Sequence, residues 1–548
     1  MRESGRNSKF KINNLTKLII LEIVDFILLV VGYIKVFGNT SSTSIGRELF
    51  AGIVLVMCFV LVFTVGYLLI YNKLDIGKVY PIIAVTLGVI FIFLIPAYET
   101  PDEQRHFGSA YNQSNMFLDY GNPHEDGVAP EYFLPFRYMR ANDASIGEIN
   151  TIQQFDVSEF DSVFDNLRVI SDEENEKVIT INHFNDSSYT LYFLPALGIT
   201  LARLLHLGFG FAYVFGALLN MLFYILMTTY AINKIPVGKR ILFVISLLPL
   251  TLQQVSSFSC DGVIIASIMV VVAQAFFLKY GDSSTRRDWK WNIEIPIIRT
   301  TITELVIYIL CGLLLSGAKS GVYLVVLLLP VMLCCNKNWF RGKAKIVSIT
   351  VIVVMVAGAS AYMYFRGFDT IYKFINTTPE DVREIHGQTG VALIEYIYNP
   401  GRLFELIFNT LRYDLRHYVA QIGGSILGYI RINIFKGVTI VNLLLLFASM
   451  IRYKEEDDIF KVGNRLMVFI IGLIPILVTV LAMLLYWTLP TDQAIMGIQG
   501  RYVLPTLAVL MFSVGRWNKI RIPNIDGLFA IGMTLTGYMT CISVLSYL

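Results

Sequence analysis

Residues 49–71 read LFAGIVLVMCFVLVFTVGYLLIY, with no charged side chain in the run. As an α-helix this stretch is about 34 Å long, enough to cross the hydrocarbon of a bilayer. In lipid the backbone must satisfy its own hydrogen bonds, which leaves helices and closed barrels as the only spanning structures. The run is too long and too uniformly apolar for a barrel strand, whose side chains alternate between lipid and lumen. Working outward, similar blocks occur at roughly 15–37, 79–97, 209–232, 239–256, 261–280, 302–317, 320–335, 345–364, 434–451, 465–488, 502–516 and 524–547. With 49–71 they make about thirteen spans, so the expected fold class is an all-α integral membrane bundle.

Composition agrees with that reading. The chain has 548 residues, 55% hydrophobic and 16% charged, with mean hydropathy +0.61. Soluble domains carry about a quarter of their residues as charges. Net charge is only +3, and nothing in the basic residues points to nucleic acid. The six cysteines lie in or beside apolar blocks, so neither a disulfide framework nor a zinc site is expected. A basic lead (Arg2, Arg6, Lys9, Lys11, Lys17) precedes the first block. That block is long and lacks a convincing small-residue cleavage site, so it reads as a retained span rather than a removed signal peptide.

Lys and Arg fall in alternate short loops: 72–78, 233–240, 281–299, 336–345, 452–465 and 516–521. Basic loops stay cytoplasmic, which places the N-terminus inside and the remaining loops and the C-terminus outside. Residues 189–207 are apolar enough to suggest another span, but counting them would put loop 233–240 on the wrong side. They are expected to form an interfacial or half-inserted helix, with Arg203 and His206 snorkelling. Two large outer elements follow. Loop 98–188 has 18 acidic and 5 basic residues, a net of −13, and its aromatics and prolines suggest a small folded lid. Residues 366–433 include Arg402, Arg412, Arg416 and Arg431 among apolar residues and read as amphipathic helices on the outer leaflet.

Four polar constellations fall on that outer side. Pro101-Asp102-Glu103-Gln104-Arg105-His106 follows the third span. A carboxylate there can accept a proton from a hydroxyl or help hold a divalent cation, and the same residues also suit a solvated helix N-terminus. Ser259-Cys260-Asp261-Gly262 lies at an outer turn approached by Gln253, Gln254, Ser256 and Ser257. A carboxylate entering a membrane helix is costly and tends to be functional, though Asp261 also suits a cap. Ser316-Gly317-Ala318-Lys319-Ser320-Gly321 is a hairpin tip whose two arms are short for full crossings. Lys319 at that depth wants an anion such as a lipid phosphate, or it snorkels. Gly497-Ile498-Gln499-Gly500-Arg501-Tyr502 puts glycines beside an arginine able to fork onto a phosphate; it also suits a tight turn with an interfacial Arg and Tyr. No serine-, cysteine- or zinc-hydrolase signature is present.

These motifs (PDEQRH at 101–106, SCDG at 259–262, AKSG at 318–321 and GIQGRY at 497–502) resemble a widespread bacterial family of multi-pass membrane proteins of undefined function. That family is similar in layout to the GT-C superfamily of glycosyltransferases. The resemblance covers about 79–516 and treats the first two spans, residues 1–78, as an addition to a transmembrane domain over 79–548. Cys260 departs from the family's usual pattern before the aspartate. The resemblance implies a GT-C-like bundle that moves a sugar from a polyprenyl-phosphate donor to an extracytoplasmic acceptor such as a cell-wall polysaccharide or teichoic acid. It implies Asp102 or Glu103 as catalytic base, with Lys319 and Arg501 on the donor phosphate. His106, Asp261, Gln499 and Tyr502 join them as candidate substrate-binding residues. No cofactor is certain; a divalent cation stays open.

Two other classes compete. A transporter or flippase for a lipid-linked or anionic substrate should show repeats and polar mid-membrane helices. No repeat is visible, and the polar residues cluster at the outer ends, with Glu22 and Asp25 in the first span as the exception and Glu304 near an inner end. A non-catalytic scaffold explains the hydrophobicity but leaves the shared siting of the four motifs a coincidence.

Overall fold

The computed structural model describes residues 13–38, 45–95, 99–119, 131–133, 177–179, 189–207, 209–281, 294–295, 300–334, 384–385, 388–389, 393–428, 432–451, 462–515 and 525–546. The expected lid in loop 98–188 lies outside the described residues beyond 119, except for one short strand pair, and so does the expected span 345–364. Among the described residues the architecture is helical, and the strands are isolated two-stranded pairs of two or three residues each.

Three helices open the chain: α1 (Asn14–Phe37), α2 (Ile45–Ile70) and α3 (Ile76–Leu94). After a turn come α4 (Glu103–Phe117), then α5 (Tyr189–Leu204) and α6 (Phe209–Lys234). The block expected as one span over 239–256 is broken into α7 (Lys239–Leu247) and α8 (Pro249–Val255). The cause is local. Leu248 precedes a proline, which disfavours helical backbone at that residue, and it sits at φ −57, ψ 140. α9 (Asp261–Tyr280) and α10 (Ile302–Ser316) follow. The expected span 320–335 is a tight 3-10 helix over Lys319–Leu327 that passes into α11 (Leu328–Cys334). The remaining helices are α12 (Leu393–Tyr398), α13 (Pro400–Ile422), α14 (Lys436–Ser449), α15 (Val462–Tyr486), α16 (Leu504–Val514) and α17 (Asp526–Leu545).

Six of these are long and apolar enough to cross a membrane: 48–70, 76–94, 210–234, 261–280, 464–486 and 526–545. The shorter apolar helices, α5, α10, α14 and α16 among them, fall below that length. α9 is the central pillar, with 94% of its most apolar window buried within the protein, whereas the value for α15 is 28%. A peripheral helix that leaves leucines and isoleucines bare is what lipid contact requires.

The bundle has two chemically distinct ends. At one, Lys239 pairs with Asp75 at 2.8 Å, Arg240 with Asp526 at 2.6 Å, and Lys234 with Glu304. Loops 72–78 and 233–240, two of the basic loops, therefore meet at this end. At the other end lie the start of α4, the start of α9, the hairpin tip before Lys319 and the entry to α16. The alternation of basic and non-basic loops is thus matched by a physical separation of the two sets described.

α5 packs along α6, and Gly198 lies against the backbone of Phe215 and Gly216. It has 16 residues, about 24 Å, short of a full crossing. Arg203 does not snorkel: it donates to Ser114 Oγ at 3.0 Å and Asn115 Oδ1 at 2.7 Å, and lies over the Tyr111 ring. α4 supplies those acceptors, so the charge turns inward. Tyr189, Phe193, Leu197 and Leu201, four residues apart, stay exposed on the other face. α13 is amphipathic, as expected. Phe404, Phe408, Leu411, Leu415 and Val419 form a bare apolar stripe beside Arg412 and Arg416.

Candidate functional site

Thr100-Pro101-Asp102-Glu103 turns the chain into α4. Glu103 reaches back to the Thr100 amide at 3.2 Å, and its own amide bonds to the Thr100 carbonyl. The two bonds close a tight turn just before the helix. The side chain of Glu103 is then committed inward: Oε1 accepts from the Tyr213 hydroxyl at 2.5 Å and from the Phe258 amide at 3.3 Å. Burial pushes its carboxyl up to about 7, against the opposing pull of those donors.

Asp102 faces the other way. It occupies the N-cap position of α4 but makes no capping bond, and its backbone is left-handed, φ 64. That conformation is uncommon outside glycine, and aspartate is among the side chains that adopt it most readily. Its carboxylate instead pairs with Arg501 Nη2. The Asp102 side chain keeps 45% of its surface open, whereas Glu103 keeps 1%. Burial opposes the charge on Asp102, but Arg501 outweighs it and holds the carboxyl below the usual aspartate range.

Arg501 is itself fixed on three sides. Nε donates to Gln499 Oε1 at 2.7 Å, Nη1 to the Pro101 carbonyl at 3.0 Å, and Nη2 to Asp102. Only arginine offers a planar fork with that many directed donors. The turn that presents it depends on two glycines. Gly497 has φ 78, and a Cβ on Gly500 would sit 2.8 Å from Gln421 Cβ. The close approach is therefore to α13, whose Gln421 accepts the Gly500 amide at 2.5 Å, rather than to a ligand.

Asp261 lies between the two cations. Its Oδ1 is 3.6 Å from Lys319 Nζ and its Oδ2 3.8 Å from Arg501 Nη1. It is 2% exposed, and Oδ2 has no hydrogen-bond partner among the described residues. Ser259 Oγ accepts from its amide at 3.3 Å, and Asn220 steadies the turn through the Ser257 and Ser259 carbonyls. Lys319, with φ 43, places its ammonium 4.5 Å from the centre of the Tyr502 ring, and the Arg501 guanidinium lies 5.1 Å from the same ring. Burial works against the Lys319 charge, but Asp261 beside it holds the ammonium above the usual lysine range.

His106 lies one turn after Asp102, and its Nδ1 is 2.6 Å from the Tyr192 hydroxyl. Burial takes its pKa down to about 4 despite Asp102 and Asp261 nearby. It is neutral near pH 7 and serves as a hydrogen-bonding group, not a cation. Burial pushes the Cys260 thiol up to about 12, so it stays protonated and is no nucleophile. Among the described residues no three His, Cys, Asp or Glu side chains are grouped to hold a metal ion. Asp102 and Asp261 are faced by cations instead, a poor fit to a divalent site.

The residues singled out from sequence thus meet at one end of the bundle, from positions as far apart as 102 and 501. Sequence reasoning missed Tyr213, Tyr192 and Gln421. Each is one of many tyrosines or amides, and only the third dimension gives it a partner.

Two further buried amides lie on α8. Gln253 donates to the Gly428 carbonyl and accepts from its amide, both at 3.2 Å, tying the segment after α13 to α8. Gln254, one residue on, is fully buried with neither amide atom bonded to another described residue.

No curated protein and no solved structure matches the chain. One family does match, over residues 85–511, a stretch that contains every site residue named above. The chain therefore belongs to the family described as predicted membrane protein (DUF2142).

Proposed function

We propose that the chain is a membrane glycosyltransferase of the GT-C type. It moves a sugar from a polyprenyl-phosphate donor to an extracytoplasmic acceptor such as a cell-wall polysaccharide or teichoic acid. The observation that carries this reading is the meeting of Asp102, Asp261, Lys319 and Arg501 at one end of an apolar bundle. A lipid-linked donor has the same division: its tail stays in hydrocarbon and its phosphate and sugar sit at the interface.

In this reading Asp102 is the base. It is ionised at neutral pH and open to the site, whereas Glu103 is buried and holds the α4 turn in place. The acceptor hydroxyl gives its proton to the Asp102 carboxylate as its oxygen bonds to the anomeric carbon. The bond from that carbon to the phosphate oxygen breaks, and the phosphate leaves with the extra negative charge. Lys319 and Arg501 stabilise that charge where it grows, which lowers the barrier more than it tightens ground-state binding. Asp261 offsets the repulsion between the two cations and holds both at the site, and Gln499 fixes the Arg501 plane. The Tyr502 ring forms the floor beneath them. His106 offers a neutral imidazole to a sugar hydroxyl. Two basic loops share the opposite end, and under the positive-inside rule this supports a site on the extracytoplasmic side of the cell membrane, with the N-terminus cytoplasmic.

The test is Asp102→Asn, made in cells and in purified protein reconstituted with a polyprenyl-phosphate sugar. The substituted chain should insert and purify normally while sugar transfer and the surface glycan are lost. Wild-type glycan from the Asn variant in a sensitive assay would end the proposal.

A further inference from the structure

Away from that site, a second polar cluster lies at the middle of three helices: α1, α2 and α17. All three fall outside residues 85–511, the stretch shared with the family. They pack on one another, with Gly32 of α1 against Leu55 and Ile542 and Gly66 of α2 against Leu21. At their junction Asp25 is completely buried, and neither carboxylate oxygen has a hydrogen-bond partner among the described residues. Three residues earlier, Glu22 Oε1 is also buried and has no hydrogen-bond partner among the described residues. The groups within electrostatic reach of Asp25 are Glu22 on α1, Cys58 on α2 and Tyr538 on α17, and Cys541 on α17 adjoins Cys58 and Tyr538. The Cys58 and Cys541 thiols face each other, and Tyr538, 1% exposed, has a hydroxyl with no hydrogen-bond partner among the described residues. No cation among the described residues lies within ion-pair distance of Asp25.

An ionised carboxylate taken out of water costs several kcal/mol unless a cation or several donors compensate. Here two acids, two thiols and a phenol offer neither positive charge nor enough donors. A neutral acid fits: it removes the charge and can share hydrogen bonds with a thiol or the phenol. We propose that Asp25 is an intramembrane proton-binding site, neutral at rest, built by the three helices that lie outside the family stretch. Its ligand is a proton. Glu22, nearer the N-terminal end of α1, is the adjacent group through which that proton exchanges with water.

Infrared spectroscopy of the full chain in lipid tests this directly. Wild-type protein at neutral pH should show a carboxylic-acid C=O band that shifts in heavy water and disappears as the pH is raised. The band should be absent from Asp25→Asn and present in Glu22→Gln, with slower exchange in the latter. Labelling aspartate carboxyls with carbon-13 in unsubstituted protein should move the same band, an assignment that does not depend on any variant folding. A spectrum with no acid band that moves with aspartate labelling would overturn the proposal. So would a band lost in Glu22→Gln instead, or one that neither exchanges nor titrates.

Discussion

Glu103→Gln separates the two adjacent carboxylates by stability as well as by activity. In the folded protein the Glu103 carboxyl is raised from 4.5 to about 7. At about 1.4 kcal/mol per unit, that shift corresponds to about 3 kcal/mol. The folded state binds this proton more tightly than the unfolded chain does. The resulting stabilisation is complete below about pH 4.5 and is lost as the pH rises through about 7. Glutamine has no such proton. It keeps one acceptor oxygen for the Tyr213, Phe258 and Thr100 donors but turns an amide N–H₂ toward the others, which costs about 1 kcal/mol at every pH. The two stability curves are therefore expected to cross. Wild type is the more stable by about 1 kcal/mol near pH 4.5, and Glu103→Gln by about 2 kcal/mol near pH 8.5. Thermal melts of both proteins in the same detergent, taken as a difference at each pH, cancel the titration of the acidic loop. Sugar transfer should survive the substitution. A stability difference that does not change with pH would refute the assignment of Glu103 as a buried, proton-holding support. Loss of transfer in Glu103→Gln with retention in Asp102→Asn would reverse the roles of the two acids.

Other outcomes follow from the same geometry. Arg501→Lys replaces three directed donors with one ammonium and should lower the transfer rate at saturating donor by roughly 100-fold; near-wild-type kinetics would refute a role for the guanidinium fork. Gly500→Ala places a Cβ 2.8 Å from Gln421 Cβ and 2.9 Å from the Tyr418 carbonyl, so it should cost about 1–3 kcal/mol and speed amide exchange at the C-terminal end of α13. Unchanged exchange there would mean the turn and helix are not coupled. A single displacement predicts a product of inverted anomeric configuration, read by nuclear magnetic resonance; retention would require a covalent intermediate and a different base.

Much of this arrangement is legible in the sequence because lipid imposes a simple rule. Long apolar runs become helices, and α2, α3, α6, α9, α15 and α17 lie where those runs lie. The four polar motifs stand out because charge beside an apolar run needs a reason. What the sequence does not resolve is decided by packing. Asp102 and Glu103 are neighbours on one turn and carry the same chemistry; which of them turns to the site depends on Tyr213, 110 residues away. Gln421 reaches Gly500 across 79 residues with no local signature. The break at Leu248–Pro249 is a different case. A proline after an apolar run marks a helix boundary, and reading 239–256 as one span gave too much weight to hydropathy and too little to that residue.

The Arg501 environment also bears on when the proposed base becomes available. Two of the three groups held by Arg501, the Gln499 amide and the Pro101 carbonyl, are neutral and set the plane of the guanidinium. The third, Asp102, is an anion with nearly half its side chain open. A phosphate arriving at the site competes for that third position and leaves the other two intact. On the proposed reading, a bound donor draws Arg501 toward its phosphate and frees Asp102 to accept a proton. Without donor, the same carboxylate stays quenched and does not activate water or an acceptor.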